Sequence, residues 1–183
     1  MRLRLRYYIK YKFLNSFFTG LSVGSVFVIY SPLKPSIFSL GGILLAVGML
    51  VVAKFYDILL NIKRYFQISL FVEVVILCLI LLFLIDPYTY KSALLIYLGY
   101  QLTFMFGSYL VRAETLIVKK AVVLTKVDIA KQIGYLFGMV FSYLFYLSLD
   151  GFDKNTQVYY LHYLFLAVEI LIIYLLLKSF AKK

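Results

Sequence analysis

Charge is what this sequence has least of for its length. Only 15% of its 183 residues are Asp, Glu, Lys or Arg, while 64% are hydrophobic, and the mean hydropathy is +0.95. So little polar material cannot cover a water-soluble globule, and lipid has to be the solvent. Cysteine is nearly absent: Cys78 stands alone inside an apolar run, which excludes an intrachain disulfide and reads as a small packed residue. With one His and one Cys there is no zinc-binding cluster, and no phosphate-binding glycine loop precedes a lysine, so no metal, cofactor or ATP site is expected.

Acidic residues are also scarce, 8 against 19 basic ones, for a net charge of +11. The position of the charges decides what that excess means. They fall in short stretches between long apolar runs, which argues against a nucleic-acid partner and for anionic lipid headgroups. A basic stretch also precedes the first apolar segment, as in a signal peptide. That segment is long and lacks a small-residue cleavage site, so it is expected to be retained.

A helix needs about 20 apolar residues to cross the hydrocarbon core, and six runs qualify, giving an all-α bundle in a single domain. They cover approximately 13–31, 36–53, 66–85, 92–111, 132–149 and 158–177, ended by charges or by Pro32, Pro35, Pro87 and Gly151. Of the 19 basic residues, all but Lys34, Lys91 and Lys154 fall in one alternate set of connections and ends. Cytoplasmic segments retain lysine and arginine, so both termini are expected in the cytoplasm of a plasma (inner) membrane. The outer links are short, which makes consecutive helices antiparallel neighbours. The longest cytoplasmic link, 112–131, mixes Leu116, Ile117, Val118, Val122, Val123 and Leu124 with lysines and is expected to be an amphipathic segment along the membrane surface.

The link between the second and third runs holds Ala53, Lys54, Phe55, Tyr56 and Asp57, followed by Lys63 and Arg64. With six spans and both ends inside, this layout resembles one half of a major facilitator superfamily transporter. That family's signature here is Gly-x-Leu-Ala-Asp-Arg, one variable residue, Gly and a basic pair. Asp57 matches by identity, Ile58 and Leu60 replace a basic residue and a glycine, and the basic pair comes two residues late. The resemblance implies alternating access between two six-span halves, hence a homodimer or a pairing with a second half, around an unspecified small solute. It also implies a cytoplasmic charge latch, for which Asp57, Lys63, Arg64 and Arg112 are the candidates, with Arg112 as partner of Asp57.

Family members line their cavity with spans one and four, and here those spans carry the clearest polar stripes. Asn15, Thr19 and Ser22 share one face of the first; Tyr97, Gln101, Ser108 and Arg112 share one of the fourth if the helix runs on at 100° per residue. Such stripes face a cavity or bond to neighbouring helices, since facing lipid costs free energy. Small residues repeat at Ser16, Gly20 and Gly24, at Gly42 and Ala46, and at Gly134, Gly138 and Ser142, a spacing that permits close helix packing, expected here within the monomer.

Three ionisable groups lie inside spans. Glu73 sits about 10 Å and Glu169 about 13 Å from the cytoplasmic ends of their runs at ~1.5 Å per residue, and His162 shares a face with Glu169. Charged groups are expensive there, which makes all three candidates for proton coupling. No enzyme is expected. Gly20 to Gly24 spell Gly-x-Ser-x-Gly, but that motif needs a strand-to-helix turn and here falls inside an apolar span. In the same way, Asp150 and Asp153 read as a solvated turn, since two carboxylates make an incomplete metal shell. The rival to transport is a membrane subunit that scaffolds a complex or binds lipid.

Overall fold

In lipid a peptide group has no water to bond, so each long apolar run has to satisfy its backbone within itself and becomes a helix. A computed structural model describes residues 1–181; Lys182 and Lys183, which count toward the basic side of the chain, lie outside the described residues. The order is β1 (Arg2–Leu3), α1 (Leu5–Ile29), α2 (Pro35–Lys54), the short α3 (Tyr56–Leu59), α4 (Ile62–Ile85), α5 (Tyr90–Phe104), α6 (Gly107–Val118), α7 (Ala121–Ser148), α8 (Lys154–Ser179) and β2 (Phe180–Ala181).

Five stretches are long and apolar enough to cross a membrane: Leu5–Ile29, Pro35–Lys54, Ile62–Ile85, Tyr90–Val118 and Lys154–Ser179. They mark the chain as a multi-pass integral membrane protein. The sixth expected span, 132–149, falls in α7, which is 28 residues long but is not among the five. The reason is in its composition: Lys126, Asp128, Lys131 and Gln132 occupy its first half and dilute the apolar run.

The segment 112–131 is helical almost throughout. Its first part extends α6, its last part opens α7, and only Lys119 and Lys120 turn between them, Lys119 with a left-handed φ of 58°. Within it Glu114 is 2% exposed and held by lysines of two other helices.

The helices pack in a recurring pattern. Helix α1 lies against α7 and α8, α4 against α5 and α8, and α2 against α5. Exchanging α1, α2 and α4 for α5, α7 and α8, in that order, maps this set onto itself. The α1–α7 contact becomes α5–α2, α1–α8 becomes α5–α4, and α4–α8 returns to itself.

Glycine sets the closest of these contacts. A Cβ at Gly20 would overlap the carbonyl oxygen of Tyr135, one at Gly134 that of Phe13, and one at Gly138 that of Phe17. Helices α1 and α7 therefore meet backbone to backbone, as small residues four apart permit. The Gly42–Ala46 repeat on α2 is not used in this way: both residues are exposed, and a Cβ at Gly42 meets nothing. The two chain ends close the bundle, since β1 pairs antiparallel with β2, Arg2 opposite Ala181 and Leu3 opposite Phe180. Phe180 packs there on the rings of Tyr8, Tyr65 and Phe66.

At the opposite end, Asp153 caps α8. It accepts from the backbone N–H of Asn155 at 2.9 Å and of Thr156 at 3.1 Å, and from the Thr156 hydroxyl. These bonds, the Thr156 hydroxyl foremost, hold its carboxyl below the usual range. A lowered folded-state pKa gives stability that is present above the unfolded value and lost as pH falls through the folded one. Acid titration should therefore fray the start of α8 in wild type, and Asp153→Asn should remove that acid dependence, as read by hydrogen exchange of Asn155 and Thr156. Thermal unfolding in detergent, followed by circular dichroism, tests the helix contact: Gly138→Ala should cost about 1–3 kcal/mol through overpacking, whereas Gly42→Ala should leave the midpoint unchanged.

Candidate functional site

Polar side chains on a membrane helix need protein or water around them, and α1 carries a run of them from Tyr8 to Ser22. At its first turns Lys12 is buried, 8% exposed. Its Nζ lies 3.2 Å from Glu114 Oε2 of α6, and the same oxygen lies 3.0 Å from Lys131 Nζ of α7. Lys131 also pairs with Asp128 at 3.1 Å. One carboxylate thus ties α1, α6 and α7 together. The rings of Tyr8, Tyr11 and Tyr65 stand 5.4–5.8 Å from the Lys12 ammonium, and Tyr8 and Tyr65 share a hydroxyl hydrogen bond of 2.6 Å.

One turn deeper, α1 meets a carboxyl. The Tyr11 hydroxyl donates to Glu73 Oε1 at 2.6 Å, and Asn15 Nδ2 donates to the same oxygen at 3.1 Å. Glu73 is 1% and Glu169 0% exposed, on α4 and α8, which pack against each other, and each carboxyl lies within electrostatic reach of the other. Glu73 Oε2 and both Glu169 oxygens have no hydrogen-bond partner among the described residues. A lone charge in such a place costs several kcal/mol, so two such carboxylates are costlier still.

The structure thus brings Glu73 and Glu169 together and leaves His162 apart. His162 Nδ1 bonds the Val158 carbonyl at 2.7 Å, and its ring stacks on Phe83 at 3.8 Å and meets Phe165 edge-on. Glu169 lies seven residues, about two helical turns, further along α8.

Beside the carboxyls, α1 and α5 enclose a cleft of about 160 Å³. Asn15, Thr19 and Ser22 line it from α1, as their shared face predicts. From α5 it is lined by Tyr100, Thr103 and Phe104, and Tyr97, Gln101 and Ser108 are not part of it. Tyr97 turns to α2, where its hydroxyl donates to the Phe38 carbonyl at 3.0 Å over the space left by Gly41. Gln101 is partly buried with its Oε1 unpartnered. Ser108 lies with Arg112 in a shallow depression beside Tyr56. Tyr97 and Gln101 stand on α5 and Ser108 on α6, with a turn at Met105 and Phe106 between the two helices.

The expected latch is not formed either. Asp57 is exposed and belongs to no ion pair among the described residues, and Arg112 stands over the Tyr56 ring at 5.5 Å. Lys63 and Arg64 are exposed at the start of α4, where Arg64 bonds Gln67. Lys12, Glu114 and Lys131 make the ion contact between helices instead. Ser22, the serine of the Gly-x-Ser-x-Gly stretch, donates to the Thr19 carbonyl at 2.9 Å, with no histidine beside it.

Removing one partner of a buried ion pair leaves the other charge uncompensated, at a cost of about 3–5 kcal/mol. Glu114→Gln, which strands Lys12, should therefore lower thermal stability in detergent the most. Lys131→Ala should lower it least, because that side chain is 26% exposed. The double change Lys12→Met, Glu114→Leu should recover part of the loss.

Compared with known proteins, the chain matches no family model, no curated protein and no solved structure.

Proposed function

We propose that this chain is one half of a two-part secondary transporter, built like half of a major facilitator, and that it moves a small solute by alternating access as a homodimer. The observation that carries this reading is the cleft between α1 and α5, whose lining is mostly apolar with Asn15, Thr19, Ser22 and Thr103 along it. Those two helices are counterparts under the exchange that relates the halves of the bundle, and internal repeats of this kind place transport sites at the repeat interface. In the family resembled, the same two spans line the cavity.

Other features support six crossings. The pairing of β1 with β2 holds both chain ends on one side, which requires an even number of passes. Helix α7, ~42 Å long at 1.5 Å per residue, supplies the sixth. The clustering of Lys and Arg at that end and in its connections supports a cytoplasmic side facing anionic headgroups, as in a plasma (inner) membrane. The second copy completes the cavity wall between α2 and α7.

The outward faces of those two helices, with Val47, Leu50, Phe137 and Leu144 exposed, also suit the rival reading, a non-transporting subunit with a dry interface. Reactivity of engineered cysteines in a Cys78→Ser background separates the two. In proteoliposomes a charged, membrane-impermeant thiol reagent should modify Thr19→Cys and Thr103→Cys about tenfold or more faster than Leu50→Cys, a barrier difference of only ~1.4 kcal/mol. Equal, slow labelling at all three positions would overturn the transport reading and favour the scaffold. Uptake of a panel of labelled small solutes should follow the same order, with Thr19→Leu abolishing it.

A further inference from the structure

We propose that Glu73 and Glu169 hold one exchangeable proton between them and form the protein's proton-binding site. The argument begins with the oxygens. Glu73 Oε1 already accepts from Tyr11 and Asn15; Glu73 Oε2, Glu169 Oε1 and Glu169 Oε2 are buried and accept nothing. A single proton bound to one carboxyl and donated to the other gives two of these three oxygens the hydrogen bond they lack. A divalent cation does not fit the same place, since it requires about six or more oxygens, or several retained waters.

The surrounding charges lead to the same occupant. Lys12 and Tyr11 face the pair from α1, Tyr65 stands near Tyr11 on α4, and Tyr100 faces Glu169 from α5. His162 is two turns along α8, engaged with Val158 and Phe83. Lys12 is the nearest cation, and it is committed to Glu114, which Lys131 also holds. Among the described residues no positive side chain is left for two carboxylates, so one of them carries a proton.

The site also has a route to water. Asn15 bonds Glu73 and lines the α1–α5 cleft, which places the pair at the cleft's wall. When the O–H bond breaks, the proton passes to water in the cleft and the pair goes from one negative charge to two. The two carboxylates then repel across the α4–α8 contact and compete with Glu114 for Lys12. A step of this kind shifts a two-state equilibrium between conformations. As the coupling ion of transport, the proton rests on the function proposed above; as a bound proton, it does not.

Infrared spectroscopy of the full chain in lipid tests the site without a known solute. At neutral pH the wild type should show the carbonyl stretch of a protonated carboxylic acid, which shifts in D2O and moves when glutamate alone is 13C-labelled. Glu73→Gln, Glu169→Gln in one chain should lack it, and Asp57→Asn, at an exposed carboxylate away from the pair, should retain it. A wild type with no such band, or a band unmoved by glutamate labelling, overturns the proposal even if the double variant does not fold. A band in a protein that takes up no solute upholds the proton site and removes the transport reading.

Discussion

Hydrocarbon offers no hydrogen bonds, and the arrangement of this protein follows from where its polar side chains go to find them. Helix α1 carries most of the problem. Its glycine edge lets α7 approach to backbone contact, its tyrosines and Lys12 turn to α4, α6 and α8, and its Asn15, Thr19 and Ser22 face the cleft. Each face of α1 selects a different neighbour by a different interaction: backbone proximity, charge and hydrogen bonding. Buried charge and polarity of this kind stay in the membrane only when paired, bonded or in contact with water.

The same helix joins two sites that are separate in the sequence. Lys12 ends the ion cluster with Glu114 and Lys131, and Tyr11, its neighbour, ends the carboxyl cluster with Glu73 and Glu169. A movement of α1 along its axis therefore changes both sets of contacts together. The cleft lies one further turn along, through Asn15 and Thr19. Helix α1 is thus common to the ion cluster, the Glu73 hydrogen bonds and the cleft.

Much of this was legible in the sequence, and the gaps have physical causes. Apolar run length placed five of the helices, and the shared face of Asn15, Thr19 and Ser22 placed one wall of the cleft. Glu73 and Glu169 stood out as buried ionisable groups on different helices. Their meeting is a tertiary fact that spacing along one helix cannot express. The spacing of Tyr97, Gln101 and Ser108 says which residues share a face, and not which neighbouring helix that face meets. The latch at Asp57 followed a family motif, whereas the ion cluster used Glu114, an acidic residue in a basic stretch, together with Lys12, which shares a helical face with Tyr8 and Asn15. Those two signals were present and were read only as parts of a surface link and a basic end.

Helix α7 decides whether the two halves of the bundle are equivalent, since it alone falls short of the apolar length of the others while holding the closest contact with α1. Labelling in intact cells resolves its course directly, with single cysteines at Lys120→Cys, before α7, and at Gly151→Cys, after it, in a Cys78→Ser background. The account predicts that an impermeant thiol reagent added outside modifies Gly151→Cys and spares Lys120→Cys. If both positions are modified, or neither, α7 does not cross, and the six-pass arrangement with its paired halves is contradicted.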